Sequence, residues 1–419
     1  MKRVIFHIDV NSAFLSWEAA YRLHHLGASL DLRTVPSAVG GDQQKRHGII
    51  LAKSIPSKKY GIQTGEPVVD AKRKCPDLIL VPPNYELYNR SSRAFVKVLE
   101  RYSDKIEQFS IDEVFMDMTG STTDPIRTAI EIKNTIRDEL GFTVNVGVSE
   151  NKLLAKMASD FKKPDMVHTL WPHEIEAKMW PLPVEELYYV GRASKRKLSS
   201  VGVKTIGDLA KLDLRYLKAA MKSHGLLIHQ YANGIDHSEV ISTPPPNKGY
   251  GNSLTTPKDV CQADVAKLYL LSLAETVSSR LRADGVKARV ISISLRDYNL
   301  RFTGHQKTLY TPTDLTLEIY EAACQCFDEL WDGIPLRHLG IHTGQVTSED
   351  CRQMSLFETI DYDRQKKVET AVDQLRKKFG QDVIMRASFL SKNGMEIDHM
   401  GGGISRERRT VDYSKEKIQ

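Results

Sequence analysis

The chain is predicted to be a multidomain α/β protein. Its 419 residues exceed what one hydrophobic core organises. Strand-like and helical periodicities alternate over residues 1–172, and a proline-rich stretch at 242–248 precedes a second, self-contained run of elements.

In the first region, strand-like runs fall at 4–8, 48–52, 78–81 and 142–148, with a hairpin over 106–118. Helical periodicity fills 16–26, 86–102, 125–140 and 152–161. Such an order predicts a sheet mixing parallel and antiparallel strands. Trp180-Pro181-Leu182-Pro183 breaks the pattern, and a compact helical segment follows to about 239. Residues 241–248 cannot continue a helix and read as an extended linker. From 249 the order is strand, helix (263–283), strand (286–298), strand (301–310), helix (314–331), strand (336–347). In the second strand Ile291, Ile293 and Leu295 alternate with Ser292, Ser294 and Arg296. This β-α-β-β-α-β order is the ferredoxin-like pattern. A polar tail, 348–419, carries one amphipathic helical spacing, Val368, Ala371, Val372, Leu375 and Phe379, and a Gly401-Gly402-Gly403 run.

The composition, 41% hydrophobic and 27% charged, is that of a soluble globular protein. No apolar run is long enough for a membrane span, and charge interrupts the N-terminus too early for a secretory signal, so a cytoplasmic protein is expected. Five cysteines without a CxxC pair argue against a disulfide framework or a structural zinc site. The net charge of +6 is unevenly spread: residues 187–224 hold nine Lys or Arg against Asp208 and Asp213. That concentration is the footprint of a polyanion partner, although a solvated helical face has the same composition.

Asp112 and Glu113 are adjacent acids inside the apolar 106–118 segment, and Asp9 closes the first apolar run. Three carboxylates at strand ends suit hard divalent cations, whose oxygen chemistry serves phosphoryl transfer. An acidic pair at a hairpin bend is equally what a solvated turn provides. Val190-Gly191-Arg192 and Val201-Gly202-Val203-Lys204-Thr205 have the form of paired helix-hairpin-helix turns, in which helix N-termini and amides approach DNA phosphates. Lys53, Lys58, Lys59 and Tyr60 surround a bend at Ile55-Pro56-Ser57, and Lys163 precedes Pro164. These cations could clamp a triphosphate if brought to one pocket; singly, each is an ordinary surface lysine.

Taken in order, Asp9-Val10-Asn11-Ser12-Ala13-Phe14, Lys53 to Gly61, Ser110-Ile111-Asp112-Glu113, Asn151-Lys152-Leu153-Leu154-Ala155-Lys156 and Lys162-Lys163-Pro164 closely resemble the Y-family DNA polymerases, either their polymerase IV branch or a UmuC-like bacterial relative close to it. The resemblance is collinear over about residues 3–347. It implies a right-hand polymerase: palm (1–11 and 81–172), small fingers (12–80), helix-hairpin-helix thumb (173–240) and little finger (249–347). Asp9, Asp112 and Glu113, with the Val10 carbonyl, match the family's ligands for two Mg²⁺ ions. Phe14 matches its steric gate against a 2′-hydroxyl. Lys58 and Lys163, with Ser12 and Ala13, match the dNTP site, and Gly191, Arg192, Gly202, Lys204 and Thr205 match the thumb's DNA contacts. Gln353-Met354-Ser355-Leu356-Phe357 resembles a sliding-clamp docking motif, with Gln353, Leu356 and Phe357 as its anchors.

The chain departs from the family pattern at Ile55, where many members carry a tyrosine that touches the triphosphate. It departs again at Asn11, which stands for a second Asp, and at Asp165-Met166, where Asn/Asp-Gly is usual. The resemblance implies a monomeric, low-fidelity, damage-tolerant polymerase acting on primer-template DNA and dNTPs without a membrane. Two rivals are a non-catalytic clamp-associated scaffold and a metal-dependent nuclease. The intact acids weigh against the first, and Phe14 with the lysines against the second.

Overall fold

A long apolar run ending in Asp9 becomes the central strand of the first sheet, and the site follows from that placement. The computed structural model describes residues 2–41, 48–348, 361–390, 397, 399, 411 and 413. It divides into two compact units, Met1–Gly40 with Ile50–Pro244 and Thr410–Gln419, and Gly41–Ile49 with Pro245–Arg409.

The first unit begins β1 (Ile5–Val10), α1 (Ala13–His25), β2 (Ser37–Gly40), β3 (Ile50–Lys53), α2 (Ile55–Lys58), α3 (Val68–Lys74), β4 (Ile79–Val81) and α4 (Tyr85–Leu99). It continues with β5 (Ile106–Gln108), β6 (Glu113–Asp117), α5 (Pro125–Leu140), β7 (Val144–Ser149), α6 (Lys152–Ser159) and β8 (Val167–Thr169). Four helices follow: α7 (Ile175–Lys178), α8 (Arg192–Ser200), α9 (Ile206–Lys211) and α10 (Leu214–Ala232).

The main sheet has the order β5-β6-β1-β7-β8. It is mixed, because β7 and β8 run parallel while β1 is antiparallel to both β6 and β7. Both faces of β1 are covered, which explains a continuous apolar run rather than an alternating one. Phe6, Ile8 and Val10 join a core with α1, α4 and α5; Ile5 packs on the opposite face with Phe115 and Ala155 of α6. By the two-residue period of a strand, His7 and Asp9 share the α6 face. That helix lies close on β7 at Gly147, where a Cβ would stand 1.9 Å from the Ala155 carbonyl oxygen. Only glycine fits that contact.

Local signals set the helix ends. Asp124 accepts from the Arg127 amide ahead of Pro125, and α5 closes at Gly141 with φ 73°. A smaller sheet, β3-β2-β4, covers its own apolar cluster of Ala38, Ile50, Ile62, Val68, Ala71, Cys75 and Leu78. The bend expected at Ile55-Pro56-Ser57 is the one-turn helix α2. Helices α7 to α10 share a third core with Leu153, Leu154 and Met157 of α6.

The second unit holds β9 (Gly251–Val260), α11 (Ala263–Ala283), β10 (Lys287–Asp297), β11 (Phe302–Thr313), α12 (Thr316–Leu330), β12 (Leu336–Thr347) and α13 (Tyr362–Phe379). The expected β-α-β-β-α-β order is present, and the antiparallel sheet is ordered β11-β10-β12-β9, with the last strand inserted between the first and second.

In α13 the structure reverses the expected amphipathic face. Val368, Leu375 and Phe379 are 57%, 39% and 60% exposed, while Glu369 and Arg376 are buried. Ion pairs cause the inversion. Arg282 of α11 binds Glu369 and, at 2.6 Å, Asp373, and Arg376 meets Glu275 of α11 at 2.7 Å. The Thr316 amide also donates to Glu369, so each buried charge is paired and hydrogen-bonded. Burial pushes the Glu275 carboxyl up, but Arg386 and Arg376 outweigh it and hold the pKa below the usual range. Among the described residues no helix is long and apolar enough to cross a membrane.

Candidate active site

The register of β1 against β6 sets Asp9 directly opposite Glu113. Asp112 immediately precedes β6, and its carbonyl accepts from the Val10 amide at 3.0 Å. Ser110 braces this turn: its hydroxyl donates to the Asp112 carboxylate at 2.6 Å and accepts from the Glu113 amide at 3.1 Å. The backbone thus places the three predicted acids at one end of the β1-β6 pair.

Two lysines hold the acids. Lys163 Nζ lies 2.5 Å from Asp9 Oδ2 and 2.8 Å from Asp160, while Lys156 Nζ lies 2.8 Å from Glu113 Oε1. Burial, helped by the negative charges of Glu113 and Asp160, raises the Asp9 pKa to about 6 against the pull of Lys163. Burial alone would lower Lys163, but Asp9 and Asp160 outweigh it and hold its pKa above the ordinary value. Among the described residues no three His, Cys, Asp or Glu side chains are arranged as a ready metal cage. The donor set itself, carboxylates beside a backbone carbonyl, is that of a hard divalent cation.

His7 lies beneath Glu113, its Nε2 3.9 Å from Glu113 Oε2. The Ser159 hydroxyl donates to the Lys156 carbonyl, so His7 Nδ1–H donates to Ser159 Oγ at 2.7 Å and Nε2 is the bare nitrogen. Burial, with Lys156, Lys163 and Lys152 nearby, holds the imidazole pKa well below its ordinary value.

A cleft of about 420 Å³ opens beside Asp9. It brings together the predicted residues Asp9, Val10, Ser12, Lys58 and Lys163, and adds Asn11, Ile55, Arg33 and Arg137. Lys58 reaches it because α2 is riveted to β2: Ser57 Oγ donates to the Ser37 carbonyl and Ser54 Oγ to the Val35 carbonyl, at 2.8 and 2.7 Å. Ile55 lines the cleft, whereas Lys53, Lys59 and Tyr60 lie outside its lining. Neither Ala13 nor Phe14 lines it, nor do Asp112 and Glu113. The Phe14 ring stacks on Tyr88 at 4.6 Å and meets Tyr85 edge-on at 5.9 Å.

Asn145 organises the site and escaped the sequence reading. Fully buried in β7 opposite Asp9, it donates to the carbonyls of Ser159 and Lys162 and accepts from Asn11 and the Met166 amide. Asn11 in turn accepts from the Asp165 amide at 2.9 Å. The segment carrying Lys163 is thus pinned at both ends. An amide inside Val144-Asn145-Val146-Gly147-Val148 is the signal that could have found it, since a buried strand holds a polar side chain only with partners. Asp165 lies in the left-handed region, φ 59°, and its carboxylate pairs with Lys133 at 2.9 Å.

The residues predicted to contact DNA do not line the cleft. Gly191 caps α8 with no side-chain hydrogen bond, leaving that N-terminus open, and Arg192 begins the helix. At α9, Thr205 accepts from Asp208, whose carboxylate takes the amides of Thr205 and Lys204 at 2.8 and 3.0 Å. Gly202 has φ 86°, a conformation that requires glycine. Gln353, Leu356 and Phe357 lie outside the described residues.

Comparison with known proteins decides the family. Residues 8–160 match the impB/mucB/samB family and 247–356 its C-terminal domain. The chain is 44% identical over 394 residues to a DNA polymerase IV of Clostridium acetobutylicum, covering 94% of this chain and 99% of that protein. The chain belongs to the Y-family DNA polymerases. Another relative, DNA polymerase IV 2 of Bacillus subtilis, is 35% identical over 408 residues, with 95% and 97% covered. The solved structure of a Y-family DNA polymerase chimera shares the fold, with a TM-score of 0.71 and 22% identity over 83% of this chain and all of that one.

Proposed function

We propose that this chain is a template-directed DNA polymerase of the translesion type, adding dNMP to a primer 3′-hydroxyl. The observation that carries this reading is the Asp9–Glu113 register beside a cleft lined by Lys58, Lys163, Arg33 and Arg137. A triphosphate is a polyanion that such a cleft neutralises, and Asp9, which lines it, stands beside the place where its reacting phosphate would lie.

Asp9, Asp112 and Glu113, with the Val10 carbonyl, would hold two Mg²⁺ ions, which supply Lewis acidity to the primer hydroxyl and the leaving pyrophosphate. Lys58 and Lys163 grip the triphosphate with the turn at Ser12 and Ala13. Phe14, backed by Tyr88 and Tyr85, stands as the steric gate. Ile55 supplies no hydroxyl to that grip.

In this reading residues 1–11 and 81–172 are the palm, 12–80 the fingers, 173–240 the thumb, 241–248 the linker, 249–347 the little finger and 348–419 the tail. The open N-terminus of α8 at Gly191 and Arg192 is the better phosphate seat of the two hairpins, because the first amides of α9 are already taken, Ile206 by the Leu182 carbonyl, Gly207 by the Trp180 carbonyl and Asp208 by the Thr205 hydroxyl. The enzyme works as a cytoplasmic monomer, recruited by the sliding clamp through Gln353, Leu356 and Phe357. Leu356→Ala with Phe357→Ala is expected to abolish stimulation by the clamp in a processivity assay and to leave basal extension within about twofold. Loss of basal extension would sink the independent tether. Extension of a labelled primer tests the activity itself: a scaffold would bind and add nothing, and a nuclease would shorten the strand.

A further inference from the structure

The salt bridges of the acidic site differ in kind. Lys156 is buried on Glu113 with its ammonium over the rings of Phe109 and Tyr188, at 5.4 and 5.5 Å. It is walled in. Lys163 is 30% exposed, lines the cleft, and reaches Asp9 from a backbone that Asn145 and Asn11 pin. Only its flexible side chain has room to change partners, and Asp160, half exposed at 2.8 Å, can keep part of its charge compensated as it does.

We infer that Lys163 is a resident counter-cation of Asp9 that a divalent metal must displace, and that phosphates drawing Lys163 away make Asp9 available to the metal. The inference rests on the proposed reading of Asp9 as a metal ligand and of Lys163 as a phosphate contact. Its physical basis is competition: an ammonium 2.5 Å from a carboxylate repels a second cation on the same group. Linkage makes the effect reciprocal, so whatever loosens the Lys163–Asp9 pair favours metal and phosphate alike. Lys156, which does not line the cleft, stays on Glu113 and keeps that carboxylate oriented.

The test is Mn²⁺ binding to the full-length, DNA-free protein without nucleotide, read by electron paramagnetic resonance of free Mn²⁺. Lys163→Met is expected to tighten Mn²⁺ by about tenfold, within the usual range of linked sites. Lys58→Met removes the same charge from the same cleft without touching Asp9, and should change affinity by less than about twofold. The reciprocal arm measures dNTP binding in EDTA: Asp9→Asn should bind dNTP more tightly than wild type, and Asp112→Asn, which has no bond to Lys163, should not. Equal effects of Lys163→Met and Lys58→Met, or weaker Mn²⁺ binding in Lys163→Met, would overturn the displacement while leaving the metal reading intact. Unchanged Mn²⁺ binding in Asp9→Asn would overturn both. Lys163→Gln repeats the measurement should the methionine variant fail to fold.

Discussion

Asp112→Ala combined with Glu113→Ala is expected to lower single-nucleotide addition by roughly four orders of magnitude, the several kcal/mol of transition-state stabilisation that metal ligands supply. The loss should fall on kcat more than on KM for dNTP, because Lys58 and Lys163 remain to bind the phosphates. The double alanine also leaves Lys156 without its carboxylate, and an unpaired buried ammonium destabilises a fold by a few kcal/mol. Asp112→Asn with Glu113→Gln separates the two effects. It preserves volume and an oxygen that accepts from Lys156, so its melting temperature should fall less than that of the double alanine while its activity is lost. Activity within tenfold of wild type in the amide variant would remove these residues from the chemistry.

Phe14→Ala is expected to raise ribonucleotide insertion relative to deoxynucleotide by roughly a hundredfold, since the excluded 2′-hydroxyl is rejected by a clash worth about 3 kcal/mol. Phe14 is also part of an aromatic cluster with Tyr88, Tyr85 and Trp17, and deleting a ring from such a cluster costs about 3 kcal/mol of stability. Phe14→Leu keeps much of the packing and serves as the intermediate case, with a partial gain. The readout is the ratio of kcat/KM for rNTP and dNTP, which a purely structural defect would lower for both substrates together. An unchanged ratio would assign Phe14 to packing alone.

What could be seen in the sequence was whatever the chain states locally. Asp9, Asp112 and Glu113 stood out because charge interrupts apolar runs that otherwise build strands. The start of α5 follows from Asp124-Pro125 and its end from Gly141, and the predicted bounds 125–140 are those observed. Other features depend on partners far along the chain. Strand β2 is four residues of small side chains, legible only once β3 and β4 flank it. In α13, helical spacing placed Val368, Leu375 and Phe379 inward, but the arginines and glutamates of a distant helix set the buried face. The pairing of Lys163 with Asp9 spans 154 positions and that of Lys156 with Glu113 spans 43, so the motif lysines could be quoted without their partners being visible. Asn145 carried a usable signal, a lone amide in a buried strand, whose meaning appears only when β7 meets the segment carrying Lys163.

The most direct test of the central claim is single-nucleotide addition to a labelled primer on four templates that differ only in the first unpaired base, with Mg²⁺ and one dNTP at a time. The account predicts that wild type lengthens the primer by one residue, fastest with the complementary dNTP on each template. Primer that is bound but never lengthened, lengthened without regard to the template base, or shortened in the absence of dNTP would contradict it.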